Sequence, residues 1–151
     1  MKLNQLLATM AFTVAAVALV IGVVLTYNQW TQSEKAVIDG TISLNTTRGV
    51  GVTLSGSTCD GSGGYSDITQ GSEVELRDAT GKLIAVTKLG NGAWGGNIMA
   101  GRCTFYFRFD DVELEGDDDA LFTIQIGNEN RGGVTYSRDK LLQGPVTLSI
   151  G

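Results

Sequence analysis

The chain has 151 residues, carries a formal net charge of −5 and contains no histidine. Without histidine it lacks the commonest general base and the commonest metal ligand, which rules out a Ser-His-Asp triad and disfavours an enzyme. Because the chain is acidic and has no basic patch, nucleic acid and anionic lipid headgroups are also disfavoured as partners.

Residues 6–25 form an uncharged, apolar run that matches the roughly 30 Å hydrocarbon core of a bilayer at 1.5 Å per helical residue. The run is apolar all round, unlike a core helix, and ends without the small residues of a signal-peptide cleavage site. It predicts a cytoplasmic N-terminus and a retained, single-pass transmembrane helix within residues 1–27. Lys2 precedes the run and no charge follows it until Glu34, so the remaining chain is expected outside the cell membrane.

Small residues recur along one face of this predicted helix at spacings of three and four. They are Ala8, Ala11, Ala15, Ala18 and Gly22. A stripe of small residues lets a second helix approach closely, which predicts a helix-packing face. The alternative is that alanine is simply frequent in such helices.

Residues 28–40 contain no helix breaker until the pair Asp39-Gly40, and glycine suits a helical C-terminal cap. This segment therefore predicts a juxtamembrane extension of the membrane helix. The residues from 41 to 151 follow it as one domain of ordinary size.

The remaining chain alternates between short apolar-polar segments and turns. The predicted strands are residues 41–44, 49–54, 73–78, 82–88, 103–109, 121–127, 132–136 and 145–150. Loops are expected at residues 55–64, at the glycine-rich stretch 89–102 and at the acidic stretch 110–120, and Ser137 is expected to cap a helical turn over 138–142. The pattern predicts a mainly β domain, an antiparallel β-sandwich of about seven or eight strands that follows the transmembrane helix.

Residues 103–109 have the clearest strand pattern, because Cys103, Phe105, Phe107 and Phe109 share one face that must be buried. The second cysteine, Cys59, lies in a predicted loop. On the extracytoplasmic side the two cysteines predict a structural disulfide, which closes a loop of about 45 residues and stabilises the fold by about 4 kcal/mol. A redox-active pair is disfavoured because there is no C-x-x-C motif.

The sequence also carries an extended pattern of glycines, aromatic residues and cysteines. It runs Cys59-x-Gly61-x-Gly63-Gly64-Tyr65-x-Asp67-Ile68, then Gly71-x-x-Val74 and Asp78-x-x-Gly81-Lys82-Leu83-Ile84-Ala85, then Cys103-x-Phe105-x-Phe107 and Tyr136-Ser137-x-x-x-Leu141. This pattern resembles a family of N-terminally anchored envelope domains of actinobacteria. The hairpin around Asp78 is also similar to those of transthyretin-like and Cna-B-type sandwiches. The first resemblance implies an extracytoplasmic domain in the cell envelope, the second implies the sandwich fold, and neither implies a catalytic residue.

Two groups of residues are candidates for ligand binding. Tyr65, Trp94 and Tyr106 are expected either to form an aromatic surface for a sugar or peptide, or to pack at the rim of the core. Asp117, Asp118 and Asp119 are weak candidates for calcium ligands, because their spacing does not match an EF-hand loop and a solvated acidic loop explains them as well. No other cofactor is expected.

These features favour a non-catalytic binding or interaction module that is anchored in the membrane by one helix. The alternative is a structural subunit whose N-terminal helix packs through the Ala8–Gly22 face in a membrane-protein complex or a pilin-like filament. The expected partners are membrane lipid and other membrane or envelope proteins, or copies of the same chain, and not nucleic acid.

Overall fold

A computed structural model describes residues 35–97 and 99–150, which fold into two β-sheets and a short helix. The strands are β1 (Lys35–Thr47), β2 (Val52–Ser55), β3 (Thr58–Gly61), β4 (Glu73–Asp78), β5 (Leu83–Lys88), β6 (Gly92–Asn97), β7 (Ala100–Glu113), β8 (Leu121–Ile126), β9 (Gly133–Ser137) and β10 (Val146–Ile150). Helix α1 (Arg138–Leu142) lies between β9 and β10, and single 3₁₀ turns occur at Gly63–Tyr65 and Glu129–Arg131.

The larger sheet has six strands in the order β10-β1-β7-β6-β3-β2, and the smaller sheet has four in the order β5-β4-β8-β9. Alternate side chains of each sheet point into a shared core. In β7 the inward residues are Cys103, Phe105, Phe107 and Phe109, each at most 2% exposed. They face Val74 and Leu76 of β4 and the apolar side chains of β8 in one buried cluster. The predicted two-layer β fold with an inward-facing β7 is therefore confirmed.

The predicted disulfide is also confirmed. Cys59 and Cys103 are bonded, their Cα atoms are 5.8 Å apart, and both side chains are buried. The short helix is present as expected, since the hydroxyl of Ser137 accepts a hydrogen bond from the backbone N–H of Lys140 at its first turn. Leu141 anchors this helix in the core.

The sheet is not purely antiparallel, which corrects the sequence prediction. β10 pairs with β1 in parallel, with Gly40 opposite Val146 and Leu44 opposite Ile150. The chain reaches this position because α1 carries it from the end of the four-stranded sheet to the edge of the six-stranded one. Pairing of segments so distant in sequence has no local signal.

The helical extension predicted over residues 28–40 is wrong for residues 35–40, because β1 already begins at Lys35. Antiparallel pairing with β7 extends this strand well before the predicted start at residue 41, with Asp39 opposite Arg108 and a bulge between Ala36 and Ile38. Helix propensity is a weak preference, and pairing with a long central strand overrides it.

The predicted loops are also shorter than expected. Cys59 lies in strand β3, and the glycine-rich stretch 89–102 contains all of β6 and the start of β7. The acidic stretch 110–120 begins as strand, since β7 continues to Glu113. The chain therefore has ten strands in its described part, against the seven or eight expected.

The alternation over 49–54 predicts one buried face, which is also wrong. Val52 is buried, but Val50 and Leu54 are 74% and 41% exposed. Residues 48, 49 and 51 have positive φ angles and form a turn before the strand begins at Val52.

The predicted transmembrane helix and its packing face, Ala8 to Gly22, lie outside the described residues. Among residues 35–97 and 99–150 there is no helix of the length and apolarity needed to cross a bilayer.

Candidate functional site

The outer surface of the six-stranded sheet is polar, because the alternation that buries one side of β1 and β7 turns polar residues outward. Opposite each other on this surface lie Asp39 and Arg108, Thr41 and Tyr106, Ser43 and Thr104, and Asn45 and Arg102. We call these eight residues the polar face. Exposure varies along it, since Ser43 is only 5% exposed between its neighbours whereas Asn45 is exposed.

One end of the polar face is ordered by side-chain hydrogen bonds that cross three strands. Arg102 donates from Nε to Oδ1 of Asn45 over 3.1 Å, and Asn45 donates from Nδ2 to Oγ of Ser149 over 2.6 Å. Beside them the hydroxyls of Ser43 and Thr104 are 3.1 Å apart. The side chains of β7, β1 and β10 therefore hold one another in place, which lowers the entropy that a ligand would have to remove.

The other end of the polar face is organised around Asp39. The phenol of Tyr106 donates a hydrogen bond to Oδ1 of Asp39, and NH1 of Arg108 lies 3.5 Å from the same oxygen. Arg108 also donates from Nε to Asp110 over 2.8 Å. The hydrogen bond to Asp39 raises the pKa of Tyr106, so the phenol remains protonated and serves as a donor rather than as a base.

A shallow groove of about 740 Å³ adjoins the ordered end of the polar face. The outward residues of β6, Ala93 and Gly95, are small, whereas Arg102 and Thr104 of β7 rise beside them. The base of the groove is thus formed by small residues, and the guanidinium group of Arg102 and the hydroxyl of Thr104 lie at its border. These groups can form hydrogen bonds with a polar ligand. None of them is placed to act as a nucleophile with an adjacent base.

The three aromatic residues that the sequence singles out do not line one surface. Tyr106 lies on the polar face and is 47% exposed. Trp94 is among the residues that line the groove, although it is paired with the inward-facing Cys103 and packs partly against the core. Tyr65 ends a 3₁₀ turn, where its ring centroid lies 5.3 Å from the guanidinium carbon of Arg131. Of the three, only Tyr106 belongs to the polar face.

The acidic candidates Asp117, Asp118 and Asp119 are exposed and lie in the loop between β7 and β8. Asp118 lies 3.2 Å from NH1 of Arg138, and Asp110 pairs with Arg108. Within residues 35–97 and 99–150, no three carboxylate or thiol side chains are grouped to hold a metal ion. The calcium hypothesis for Asp117, Asp118 and Asp119 therefore gains no support from the geometry.

Sequence reasoning did not select Asn45 and Arg102 as site residues. The alternation within residues 103–109 turns Arg108 and Tyr106 outward, and extending it by one residue would have done the same for Arg102. Asn45 becomes significant only through its pairing with Arg102, which joins two strands 57 residues apart in sequence.

Comparison with known proteins finds no family model, no curated protein and no solved structure that matches this chain. The functional interpretation therefore depends on the geometry alone.

Proposed function

We propose that the protein is a membrane-anchored, extracytoplasmic binding module without catalytic activity, and that it binds a hydroxyl-rich partner, a glycan, through the polar face. The observation that carries the proposal is the outward side of β1 and β7, on which polar side chains are fixed by one another while Asn45 and Tyr106 are exposed. The anchor, the compartment and the ligand class are parts of this proposal.

The chemistry of the polar face suits a sugar ring. Hydroxyl, amide and guanidinium groups from Thr104, Asn45 and Arg102 provide donors and acceptors along one edge. The half-exposed ring of Tyr106 provides an apolar surface on which the C–H face of a pyranose can stack. Because these aromatic and hydrogen-bonding groups are already ordered, they lose little conformational entropy when a ligand binds.

The proposal is tested by titrating the full-length chain, in mild detergent, with neutral, N-acetylated and uronic-acid tetrasaccharides and following amide chemical shifts by NMR. We expect shifts centred on β1 and β7 for at least one sugar. Tyr106→Ala and Thr104→Ala should each weaken that binding by about tenfold. The matched control is Thr123→Ala, because Thr123 is an outward threonine of the other sheet with a similar hydroxyl partner, Thr135, at 3.0 Å. Equal losses in Thr104→Ala and Thr123→Ala, or no binding by any of the sugars, would contradict the proposal.

The second candidate is a structural subunit that packs through its N-terminal helix. It is supported by the small-residue stripe from Ala8 to Gly22 in the sequence. Co-purification in mild detergent separates the two. A stoichiometric partner that is lost from the Ala15→Leu, Gly22→Leu variant supports the subunit, whereas a monodisperse monomer unaffected by that change supports the binding module.

A further inference from the structure

A second depression, independent of the polar face, lies between β5 and the C-terminal part of β7. It is an open cleft of about 890 Å³, and its walls include four consecutive residues of β5 (83–86) and four of β7 (110–113). We call it the seam cleft, because β5 belongs to the four-stranded sheet and β7 to the six-stranded one.

Both walls of the seam cleft are strand edges without a strand partner. β5 pairs with β4 on one side, and on its other side, where part of β7 lies close by, no described strand forms a ladder with it. One edge of β7 pairs with β6 only from Ala100 to Thr104. On the same edge, the backbone N–H of Gly90 donates to the carbonyl of Tyr106. Beyond this bond, up to Glu113, that edge has no described strand partner. Free strand edges present backbone N–H and C=O groups, and an extended peptide can satisfy them by adding as a further strand.

The cleft also exposes apolar side chains. Leu83, Val86 and Leu121 line it and are 44%, 47% and 51% exposed. In a monomeric protein, exposed aliphatic residues that cluster beside a free strand edge promote aggregation, because they favour edge-to-edge association. Their grouping here indicates a surface that is covered by a partner.

The charges around the cleft define the chemistry of that partner. Asp78, Asp111, Glu113 and Glu115 line it together with Asp110, which is paired with Arg108. Lys82 is the one basic residue among the described residues of the lining. The negative excess complements a segment that carries lysine or arginine.

The chain's own N-terminal segment does not match this requirement. Residues 1–34 contain one basic residue, Lys2, at the far end of the apolar run. This segment therefore lacks the charge that complements the cleft.

We infer that the seam cleft is a docking site for an extended segment of a partner protein in which basic residues alternate with aliphatic ones. The segment adds to the free edge of β5 as an antiparallel or parallel strand. An irregularity in the pairing of β4 with β5 puts both Leu83 and Val86 opposite outward residues of β4, so the two share one face although they are three positions apart. Because successive side chains of the added strand point to opposite sides, its aliphatic residues contact this face while its basic residues point to the other side, toward the carboxylates of Glu113 and Glu115.

The probe is a fluorescein-labelled peptide of four Lys-Val repeats, titrated with the full-length chain in mild detergent and followed by anisotropy. We expect saturable binding that weakens when the salt concentration rises, since exposed charge pairs are screened. A peptide with the same sequence but N-methylated at every residue keeps the charge and loses the backbone donors of both edges, and it should bind at least about tenfold more weakly. A Glu-Val peptide should not bind.

Two charge-reversal variants of the protein complete the test. Glu113→Lys, Glu115→Lys should weaken the binding of the Lys-Val peptide by at least about tenfold. The matched control, Asp60→Lys, Glu73→Lys, makes the same change in net charge at two exposed positions outside the cleft and should leave binding within about twofold. Amide exchange of β5 should slow when the peptide is bound.

Several outcomes would overturn the inference. They are no saturable binding of the Lys-Val peptide up to about 1 mM, equal binding of the N-methylated peptide, and equal losses in the two charge-reversal variants. Concentration-dependent self-association of the chain that Glu113→Lys, Glu115→Lys abolishes would also overturn it, by identifying a second copy as the occupant.

Discussion

Cys59 and Cys103 are joined by a disulfide although their strands are not neighbours in the sheet. β3 and β7 both pair with β6, which lies between them, yet the two Cα atoms are only 5.8 Å apart. Two strands that flank a common neighbour in a flat sheet are about 9.6 Å apart. The sheet therefore folds over at β6, so that β3 approaches the inner side of β7 and the disulfide connects the folded edge to the core.

Gly92 permits this fold, since it is the residue of β6 paired with Cys59. A Cβ atom at Gly92 would overlap the carbonyl oxygen of Cys59 and lie 2.7 Å from a ring carbon of Phe105. We expect Gly92→Ala to lower the free energy of unfolding by about 1–3 kcal/mol, as overpacking of a core does, because a backbone atom has to move. Urea denaturation measures the change, and intact-mass analysis reports whether the disulfide still forms.

Gly95→Ala is the control for this prediction. Gly95 lies on the same strand, and a Cβ atom there would have no heavy atom within 4 Å. The two variants therefore differ in contact and not in the kind of substitution. Equal stability of the two proteins would show that the fold at β6 does not depend on a missing side chain at Gly92.

The disulfide itself should contribute substantially to stability. The two cysteines are 44 residues apart, for which the chain-entropy estimate is about 4 kcal/mol. We expect Cys59→Ala, Cys103→Ala to lower the free energy of unfolding by about 2–4 kcal/mol, including the loss of packing in the core. Urea denaturation of the variant and of the reduced wild type checks this, and two free thiols in the native protein would contradict it.

The sequence predicts best those parts of the fold whose signal is local. The alternation around Cys103, the hairpin turn at Asp78 and the cap at Ser137 each depend on a few adjacent residues, and each is present in the structure. The sequence predicts a loop for the residues of β6, whose glycines have low strand propensity. Pairing with β7, together with the fold-over at Gly92, outweighs this low propensity.

The candidate site was less predictable, because its residues meet through register rather than through motif. Arg102 reaches Asn45, and Tyr106 reaches Asp39, only when β1 and β7 are aligned as observed. The seam cleft likewise forms between two sheets, from segments that the sequence shows only as a hairpin and an acidic loop. Contacts between segments that are distant in sequence leave no periodic pattern of hydrophobic residues from which they could be predicted.

The helical turn after β9 should depend on its cap. The hydroxyl of Ser137 accepts from the N–H of Lys140, and Leu141 of the same turn is 1% exposed in the core. We expect Ser137→Ala to cost about 1 kcal/mol and Ser137→Gly only a few tenths, since glycine at this position leaves the orphan N–H accessible to water. Thermal denaturation of both variants checks the order, and a larger loss in the glycine variant would contradict the capping argument.

Asp67 and Arg131 link the loop after β3 to the 3₁₀ turn after β8. NH2 of Arg131 lies 2.5 Å from Oδ1 of Asp67, and the backbone N–H of Asn128 donates to Oδ2 over 2.8 Å. The hydrogen bond from Arg131 is the largest of the effects that hold the pKa of Asp67 below its ordinary value of 3.8. We expect Asp67→Asn to lower the free energy of unfolding by about 1–3 kcal/mol at neutral pH, because Arg131 loses its ionised partner.

The dependence of this effect on pH has a definite sign. Since the folded state binds the proton on Asp67 more weakly than the unfolded state, the stabilisation is fully present above the ordinary pKa of 3.8 and is lost as the pH falls toward the lower pKa of the folded state. Urea denaturation between about pH 2.5 and pH 7 should therefore show the wild type converging on Asp67→Asn at the acidic end. Asp118→Asn removes a carboxylate that is 81% exposed and also paired with an arginine, so its effect should stay within about 0.5 kcal/mol at every pH. If Asp67→Asn and Asp118→Asn changed stability equally, the linking role of Asp67 would be wrong.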